Sequence, residues 1–337
     1  MNNNNKERTV EFDDGAFKQL FLDFIRYQRS LGYKYGHSSI YTLRSINRDL
    51  NQMNLTQEQP CLLKEMIESL AEKRPNETCG TQQYRIGLLR QFSLYMNSLG
   101  FEAYSFPKRF LPKNRSDFRP YIFSDHEISV IIKAADCLKP AKRSPKYHLI
   151  YPALIRLLYG CGLRISEARN LKTQQVDLDQ GIIYIDKSKN DTSRYVPMSW
   201  SLTDYLKYYV RETSFDLNDD GFFFPAPDGG PYGPKTLYEG IKNIYHQARI
   251  ETLPNGKLPR VHDLRHTFSV HAIRMMKNKG RDIYTSTPLL SAYLGHTNMI
   301  DTEKYIHLTA FEFGNFIADS KNLLSGVIPE VFSNETE

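Results

Sequence analysis

The stretch LLYGCGLRISEARNL, residues 157–171, interrupts an apolar helix with two glycines and starts a new helix near Ser166. Arg164 lies just before that start, and Glu167 lies in the first turn. The unpaired N–H groups and positive dipole end of a helix favour an anion, and an arginine adds bidentate phosphate recognition. Glu167 suits the dipole and can orient a neighbouring side chain. Taken alone, Arg164 would more often be a surface residue or an ion-pair partner.

A second stretch, RVHDLRHTFSVHAI at residues 260–273, spaces His262 and Arg265 so that both face one side of a helix. An imidazole and a guanidinium on one face can hold a phosphoryl oxygen and move a proton. The same spacing also arises by chance in a chain rich in arginine. His266 and His271 are predicted to help pack this helix rather than to touch a ligand.

A third stretch, LGHTNMIDTEKYIHL at residues 294–308, sets His296 behind Gly295 and Tyr305 nine residues further on. Most tyrosines fill protein cores, but this one lies in a polar, charged segment. The segment predicts a short connector and helix that keep Tyr305 accessible and movable.

The length and composition indicate two domains without covalent or metal staples. A chain of 337 residues exceeds the usual size of a single core. The 4 cysteines are scattered without a CxxC pair, so neither a disulfide framework nor a structural metal is predicted. The sequence has no glycine-rich phosphate loop of the GxGxxG type, and no cofactor is expected. Without an apolar run long enough for a membrane span or an export signal, we expect a cytoplasmic protein.

Helical periodicity organises most of the chain, which predicts a mainly α fold with a small antiparallel β-sheet, an α+β class. Two segments, QQVDLDQGIIYID and RYVPMS, read as the strands, joined by the polar turn KSKNDTS. The predicted divisions are a disordered N-terminus at 1–14, a helical domain at 15–104, a basic linker at 105–123, a second domain at 124–310 and a tail helix at 311–337.

The linker is rich in proline and positive charge, which disfavours a packed element. Its charge has two interpretations, simple solvation or a basic strap that lies along phosphates. The basic residues are Lys108, Arg109, Lys113, Arg115 and Arg119.

The second domain carries, in chain order, residue types suited to phosphoryl transfer: Arg164, a lysine in the turn, His262, Arg265, His296 and Tyr305. Their order and spacing resemble the catalytic domain of the tyrosine recombinases, the phage integrase family, over about residues 120–310. The helical domain at 15–104 is similar to the SAM-like core-binding domain of that family. Only about 15 residues precede the first helix, which looks more like Xer-type or transposon-encoded members.

The resemblance implies a metal-free cradle for a DNA phosphate. It assigns Arg164, Arg265 and His296 to the non-bridging oxygens of the scissile group, where their positive charge replaces that of Mg²⁺. Glu167 supports the arginines. No metal and no ATP are then needed.

The resemblance also implies the covalent chemistry. Tyr305 attacks phosphorus and leaves a 3′-phosphotyrosyl link with a free 5′-hydroxyl. His262 handles a proton or contacts the phosphate, and Lys189 protonates the departing oxygen, because it lies seven residues ahead of Val196 as the family lysine commonly does. Lys187 is the alternative.

The partners that the resemblance implies are double-stranded DNA and three further copies of the chain, in a homotetramer that exchanges strands through a Holliday junction. A bacterial protein of this kind would be nucleoid-associated when acting. An accessory DNA-bending or directionality factor is a further possibility, and the apolar tail at 311–337 either packs on its own domain or inserts into a neighbouring subunit. Two other functions stay open. One is a type IB topoisomerase-like enzyme, and the other is a DNA-binding regulator without catalysis, against which the intact set of site residues argues.

Overall fold

The computed structural model describes residues 11–53, 60–108, 110–111, 119–186, 193–214, 220–296, 298 and 302–306. The chain divides into two compact units, Met1–Phe118 and Arg119–Glu337. That boundary falls inside the linker predicted at 105–123. Within the described residues, none of the helices is long and apolar enough to cross a membrane.

The first unit is a helical domain built around stacked aromatic rings. Phe21, Phe24 and Phe92 are fully buried, and the rings of Phe21 and Phe92 stack with centroids 4.0 Å apart. The Thr78 hydroxyl accepts a hydrogen bond from the Thr81 N–H and so caps the last helix. The helices are α1 (Lys18–Ser30), α2 (His37–Gln52), α3 (Lys64–Ala71) and α4 (Cys79–Ser98).

The second unit is mostly helical with one small sheet. Its helices are α5 (Asp125–Asp136), α6 (Tyr147–Gly160), α7 (Ile165–Asn170), α8 (Trp200–Thr213), α9 (Pro234–Gln247), α10 (Asp263–Asn278) and α11 (Ile283–Leu294). Residues 302–306 are also helical. The strands are β1 (Val176–Asp177), β2 (Ile182–Ile185) and β3 (Arg194–Pro197). They pair antiparallel in the order β1-β2-β3, which confirms the predicted α+β class.

Alternation along β2 and β3 attaches the sheet to the core. Ile183 and Ile185 of β2 are buried, and Val196 of β3 pairs with Ile183 and is buried with it. Arg194 at the start of β3 donates from Nε to the Tyr293 carbonyl oxygen at 2.8 Å, near the end of α11. The sheet is thereby joined to the segment that leads to Tyr305.

Two glycines let separate elements approach closely beside α10 and β3. Gly162 has φ +59°, and a Cβ there would come within 2.4 Å of the Phe268 ring. Gly295 has φ +67° and ends α11, where a Cβ would lie 2.8 Å from Arg194 Nη1. Left-handed backbone and lack of space both favour glycine at these positions.

Candidate active site

Glu167 lies at the centre of a cluster of arginines. Its Oε1 and Oε2 accept hydrogen bonds from Arg194 at 3.0 and 2.9 Å, and Oε1 accepts a further one from Arg164 at 2.8 Å. Arg265 Nη1 lies 3.9 Å from Oε2. Burial disfavours the carboxylate, but the hydrogen bonds and charge of Arg194, with those of Arg164, outweigh it and lower the pKa of Glu167 to about 2.

Arg164 occupies the N-cap of α7, as the glycine-interrupted sequence predicts. Its backbone N–H donates to Glu167 Oε2 at 2.9 Å, and its Nη2 donates to the Gly295 carbonyl oxygen at 3.1 Å. The side chain is 17% exposed, so the guanidinium reaches the surface while its position is fixed from two sides. A helix N-terminus and a partly exposed guanidinium therefore coincide, which suits an incoming phosphate.

Arg265, on α10, joins the three sequence motifs. Its side chain is 1% exposed, and its two Nη atoms donate to the carbonyl oxygens of Gly162 at 2.8 Å and Leu294 at 2.7 Å. Nη2 also contacts His296 Nε2 at 3.0 Å. Burial, and then the charge of Arg164, lower the pKa of Arg265 to about 10, so the group is still a cation at neutral pH.

His296 follows the left-handed Gly295 and is held from both ring nitrogens. Arginine can only donate, so His296 Nε2 accepts from Arg265, and Nδ1 carries the proton. Nδ1 then donates to the Thr302 hydroxyl oxygen at 2.8 Å. Thr302 is fully buried at the start of the 302–306 helix, so the bond ties His296 to the segment that carries Tyr305.

Tyr305 is buried, and the expectation that it is accessible is wrong for this conformation. It is 4% exposed because its ring fills a small apolar cluster with Val270, Ile273, Leu290 and Leu294. The hydroxyl lies 2.9 Å from His266 Nδ1. The adjacent Glu303 and Lys304 are exposed, while the ring of Tyr305 packs against α10 and α11.

The two histidines at the start of α10 form a pair. His262 is the N-cap residue, and its ring packs edge-on against that of His266 with centroids 4.7 Å apart. Burial lowers the pKa of each to about 4, with smaller contributions from neighbouring cations, which include Arg260 and Arg265 in both cases. Both imidazoles are therefore neutral at pH 7.

The structure adds two residues that the sequence motifs did not identify. Arg194 binds Glu167 from β3, and its side chain is only 8% exposed. His266, predicted to pack the helix, instead contacts the Tyr305 hydroxyl. His271 does pack, with its Nδ1 2.9 Å from the Tyr159 hydroxyl. The available signal was the spacing of His266 four residues after His262, because side chains four residues apart lie on the same face of a helix.

Other predicted residues fall outside the cluster or outside the described residues. The predicted residues that lie outside the described residues are Lys187, Lys189, Arg109, Lys113, Arg115 and the tail at 311–337. Lys108 and Arg119 are described and exposed, one in each unit. Their role in DNA binding stays a prediction.

A phenol beside a fixed guanidinium, with imidazoles on both sides, defines a class of site. Phenols form phosphoesters, and cations stabilise the charge that develops on a phosphoryl group under attack. The second unit thus has the features of an enzyme that transfers phosphoryl groups through a tyrosine.

Comparison with known proteins places the chain within that class. The phage integrase family matches residues 123–312, more than half of the chain. A Sinorhizobium fredii protein named as an integrase/recombinase, y4rB, is 27% identical over 301 residues, which cover 86% of this chain and 92% of that protein. Tyrosine recombinase XerC of Oceanobacillus iheyensis is 27% identical over 231 residues, covering 67% of this chain and 69% of that one.

Solved structures share the fold at lower identity. XerH site-specific recombinase bound to palindromic difH substrate aligns with a TM-score of 0.62 at 17% identity, covering 91% of this chain and 84% of that one. The Tn1549 transposon integrase in complex with circular intermediate DNA aligns with a TM-score of 0.60 at 19% identity, covering 85% and 94%. The chain belongs to the phage integrase family and is a site-specific tyrosine recombinase, as the sequence motifs indicated.

Proposed function

We propose that Tyr305 cuts and rejoins double-stranded DNA through a 3′-phosphotyrosyl intermediate. The observation that carries this proposal is the contact of Arg265 with His296 at 3.0 Å, directly beside the buried Tyr305 ring. The rings of His296 and Tyr305 lie nearly parallel, with centroids 6.2 Å apart. Nucleophile and cations of one subunit are thus assembled together, which supports delivery of Tyr305 within its own subunit.

The cradle for the scissile phosphate consists of Arg164, Arg265 and His296. Arg164 is the more exposed arginine, while two carbonyl oxygens hold the guanidinium of Arg265 in a fixed position. Glu167 neutralises part of this charge and fixes the position of Arg164. Since Arg265 is 1% and Tyr305 4% exposed, DNA binding must open the segment around Tyr305 before attack.

Proton transfer completes the reaction. Lys189, or Lys187 in its place, protonates the departing 5′-oxygen. His262 contacts the phosphate or moves a proton from the start of α10. The 5′-hydroxyl of a second strand then attacks the phosphotyrosine, and the bond energy of the backbone is conserved without ATP.

The assembly we propose is a homotetramer on two DNA duplexes. Subunits exchange strands in pairs through a Holliday junction, and the apolar tail at 311–337 inserts into a neighbouring subunit. The helical domain and the basic linker hold the DNA, through Lys108, Arg109, Lys113, Arg115 and Arg119. An accessory DNA-bending or directionality factor completes the set of proposed partners.

The test is covalent capture on nicked suicide duplexes drawn from the ends of the encoding element. Wild type should give a protein–DNA adduct that resists denaturation, and Tyr305→Phe should give none because its ring lacks the attacking oxygen. Tyr159→Phe is the matched control, since it also removes one phenol hydroxyl bonded to a histidine of α10 at 2.9 Å. An adduct with Tyr305→Phe, or loss of the adduct with Tyr159→Phe alone, would refute the assignment.

A further inference from the structure

The contact between His266 and Tyr305 joins two residues that are far apart in sequence. His266 Nδ1 lies 2.9 Å from the Tyr305 hydroxyl oxygen, and the two rings are inclined at 52° with centroids 5.5 Å apart. This is the distance of an ordinary hydrogen bond. The imidazole that contacts the attacking oxygen is therefore that of His266. The His262 ring packs against the His266 ring.

The surroundings of His266 keep it neutral. Burial is the main cause that lowers the pKa of His266 to about 4, followed by the charges of Arg260, Arg265 and His296. A neutral imidazole has one acceptor nitrogen, and a phenol with an ordinary pKa near 10 is a donor at neutral pH. General base catalysis requires the tautomer in which the Tyr305 O–H donates to Nδ1 and Nε2 of His266 carries the ring proton.

We propose that His266 is the general base that takes the proton from Tyr305 during strand cleavage. The inference rests on the proposed function, in which Tyr305 is the nucleophile. As the Tyr305 Oη–phosphorus bond forms and the phosphorus–O5′ bond breaks, the phenol proton moves to His266 Nδ1. The O5′ atom takes its own proton from a separate acid, assigned to Lys189. In religation His266 returns its proton to Tyr305.

The acid strengths decide when the proton moves. An imidazole whose pKa is lowered to about 4 is a weak base, so His266 does not take the phenol proton before DNA arrives. During attack the phenol oxygen becomes an ester oxygen and loses its affinity for the proton. The negative phosphate that enters beside Arg265 also favours the imidazolium. Transfer is therefore coupled to formation of the oxygen–phosphorus bond.

The same helix offers a matched pair without a nucleophile. His271 Nδ1 lies 2.9 Å from the Tyr159 hydroxyl, on the same helix and at the same distance as in the His266–Tyr305 contact. His271→Asn removes an equivalent imidazole–phenol bond and should leave the rate of adduct formation unchanged. It controls for the structural effect of losing a histidine from α10.

His266→Asn separates positioning from proton transfer. The asparagine oxygen can accept the Tyr305 hydrogen bond from near the Nδ1 position, but an amide does not take a proton at these pH values. Under single-turnover conditions on the suicide duplex, we expect the rate at pH 7 to fall by about 10²-fold, the range of general base catalysis. Wild type should change little between pH 6 and pH 8, whereas His266→Asn should speed up about tenfold per pH unit as hydroxide replaces the base.

Three results would overturn the inference. One is a rate for His266→Asn equal to that of wild type, and the second is a loss of the same factor at every pH, which is the behaviour of a positioning residue. The third comes from a substrate with sulfur in place of the bridging O5′, whose thiolate leaves without a proton. This substrate should restore the cleavage rate of Lys189→Ala and leave that of His266→Asn low. If it restored the rate of His266→Asn, His266 would be the acid that protonates the leaving group rather than the base.

A spectroscopic measurement on wild type does not depend on how any His266 variant folds. Nitrogen chemical shifts of the His266 ring should show an unprotonated Nδ1 and a protonated Nε2 at pH 7, and a protonated Nδ1 would contradict the proposal. If wild type forms no adduct on any duplex, the proposed function itself fails. If wild type forms one and the His266 results are negative, only the role of His266 fails.

Discussion

At the scale of single residues, Glu167 determines the shape of the site. It is the one carboxylate among the described residues that contacts Arg164, Arg194 and Arg265, and its side chain is 5% exposed. Three guanidinium groups in so small a volume would repel one another without it. Breaking a buried ion pair by removing one partner typically costs about 3–5 kcal/mol, because the other charge is left without compensation.

Glu167→Gln should therefore lower the free energy of unfolding of the second unit. The pKa of Glu167 falls from 4.5 to about 2 on folding, which corresponds to stability on the order of 3 kcal/mol at neutral pH. Because the folded pKa is the lower one, this contribution is complete above about pH 4.5 and is lost as the pH falls towards 2. Urea unfolding at pH 7 and pH 3 measures it.

The control for that experiment is Glu212→Gln. Glu212 forms an exposed ion pair with Arg211, and such pairs contribute little. Wild type should lose part of its stability between pH 5 and pH 3, and Glu167→Gln should lose less over the same range. A pH dependence that is identical in wild type and Glu167→Gln would show that the carboxylate is not ionised against the arginines.

At the scale of secondary structure elements, glycine between α6 and α7 sets where Arg164 stands. The carbonyl oxygen of Gly162 accepts a hydrogen bond from Arg265. Gly162 has φ +59°, and its Cα faces the Phe268 ring so closely that a Cβ would clash with it. The turn therefore positions two cations. It sets the direction in which the chain enters α7 and so places Arg164, and its carbonyl oxygen holds Arg265 by a hydrogen bond. The glycine-containing segment that ends α6 is therefore also part of the candidate site.

Gly162→Ala should lower both stability and the rate of adduct formation. The new Cβ would lie 2.4 Å from the Phe268 ring, so either the ring or the turn must move, and overpacking of this kind costs about 1–3 kcal/mol. Gly280→Ala is the matched control, since Gly280 has φ +69° and a Cβ added there would have no atom within 4 Å. Thermal unfolding and single-turnover cleavage compare the two.

Gly280→Ala should lose only the stability, about 1 kcal/mol, that alanine costs in a left-handed backbone conformation. We expect Gly162→Ala to lose clearly more stability than Gly280→Ala and at least about tenfold more cleavage rate. Equal losses in the two variants would mean that the Phe268 contact has no influence on Arg164 or Arg265.

At the scale of the whole molecule, positive charge should control DNA binding. The chain has 44 lysine and arginine residues against 38 acidic ones, a net charge of +6. Binding constants should fall steeply with salt, because each phosphate contact releases counterions. Replacing Lys108 and Arg119 together by glutamine should reduce the slope of log K against log salt by about 2, measured by fluorescence anisotropy.

The matched double variant changes Arg211 and Lys242 to glutamine. Both are exposed and paired with carboxylates, Arg211 with Glu212 and Lys242 with Glu239. It has the same net charge as the linker variant but should keep the salt slope of wild type. An equal reduction in both variants would assign the effect to net charge rather than to phosphate contacts by the linker.

Local patterns were sufficient to predict the elements of this protein and most of its candidate site. Helical spacing, a glycine pair before Arg164, and a histidine behind Gly295 are short-range features, and the helices, the small sheet and the family follow from them. Arg164, Arg265, His296 and Tyr305 could be selected because each lies in a short motif of the printed sequence.

Only the tertiary structure decided which of these groups touch. Arg194 meets Glu167 across 27 positions, and His266 meets Tyr305 across 39, so no short window of sequence contains either pair. The burial of Tyr305 likewise depends on Val270 and Leu294, which reach it from α10 and α11. Sequence specifies the residue types and their local geometry, while proton and charge partners depend on which elements pack together.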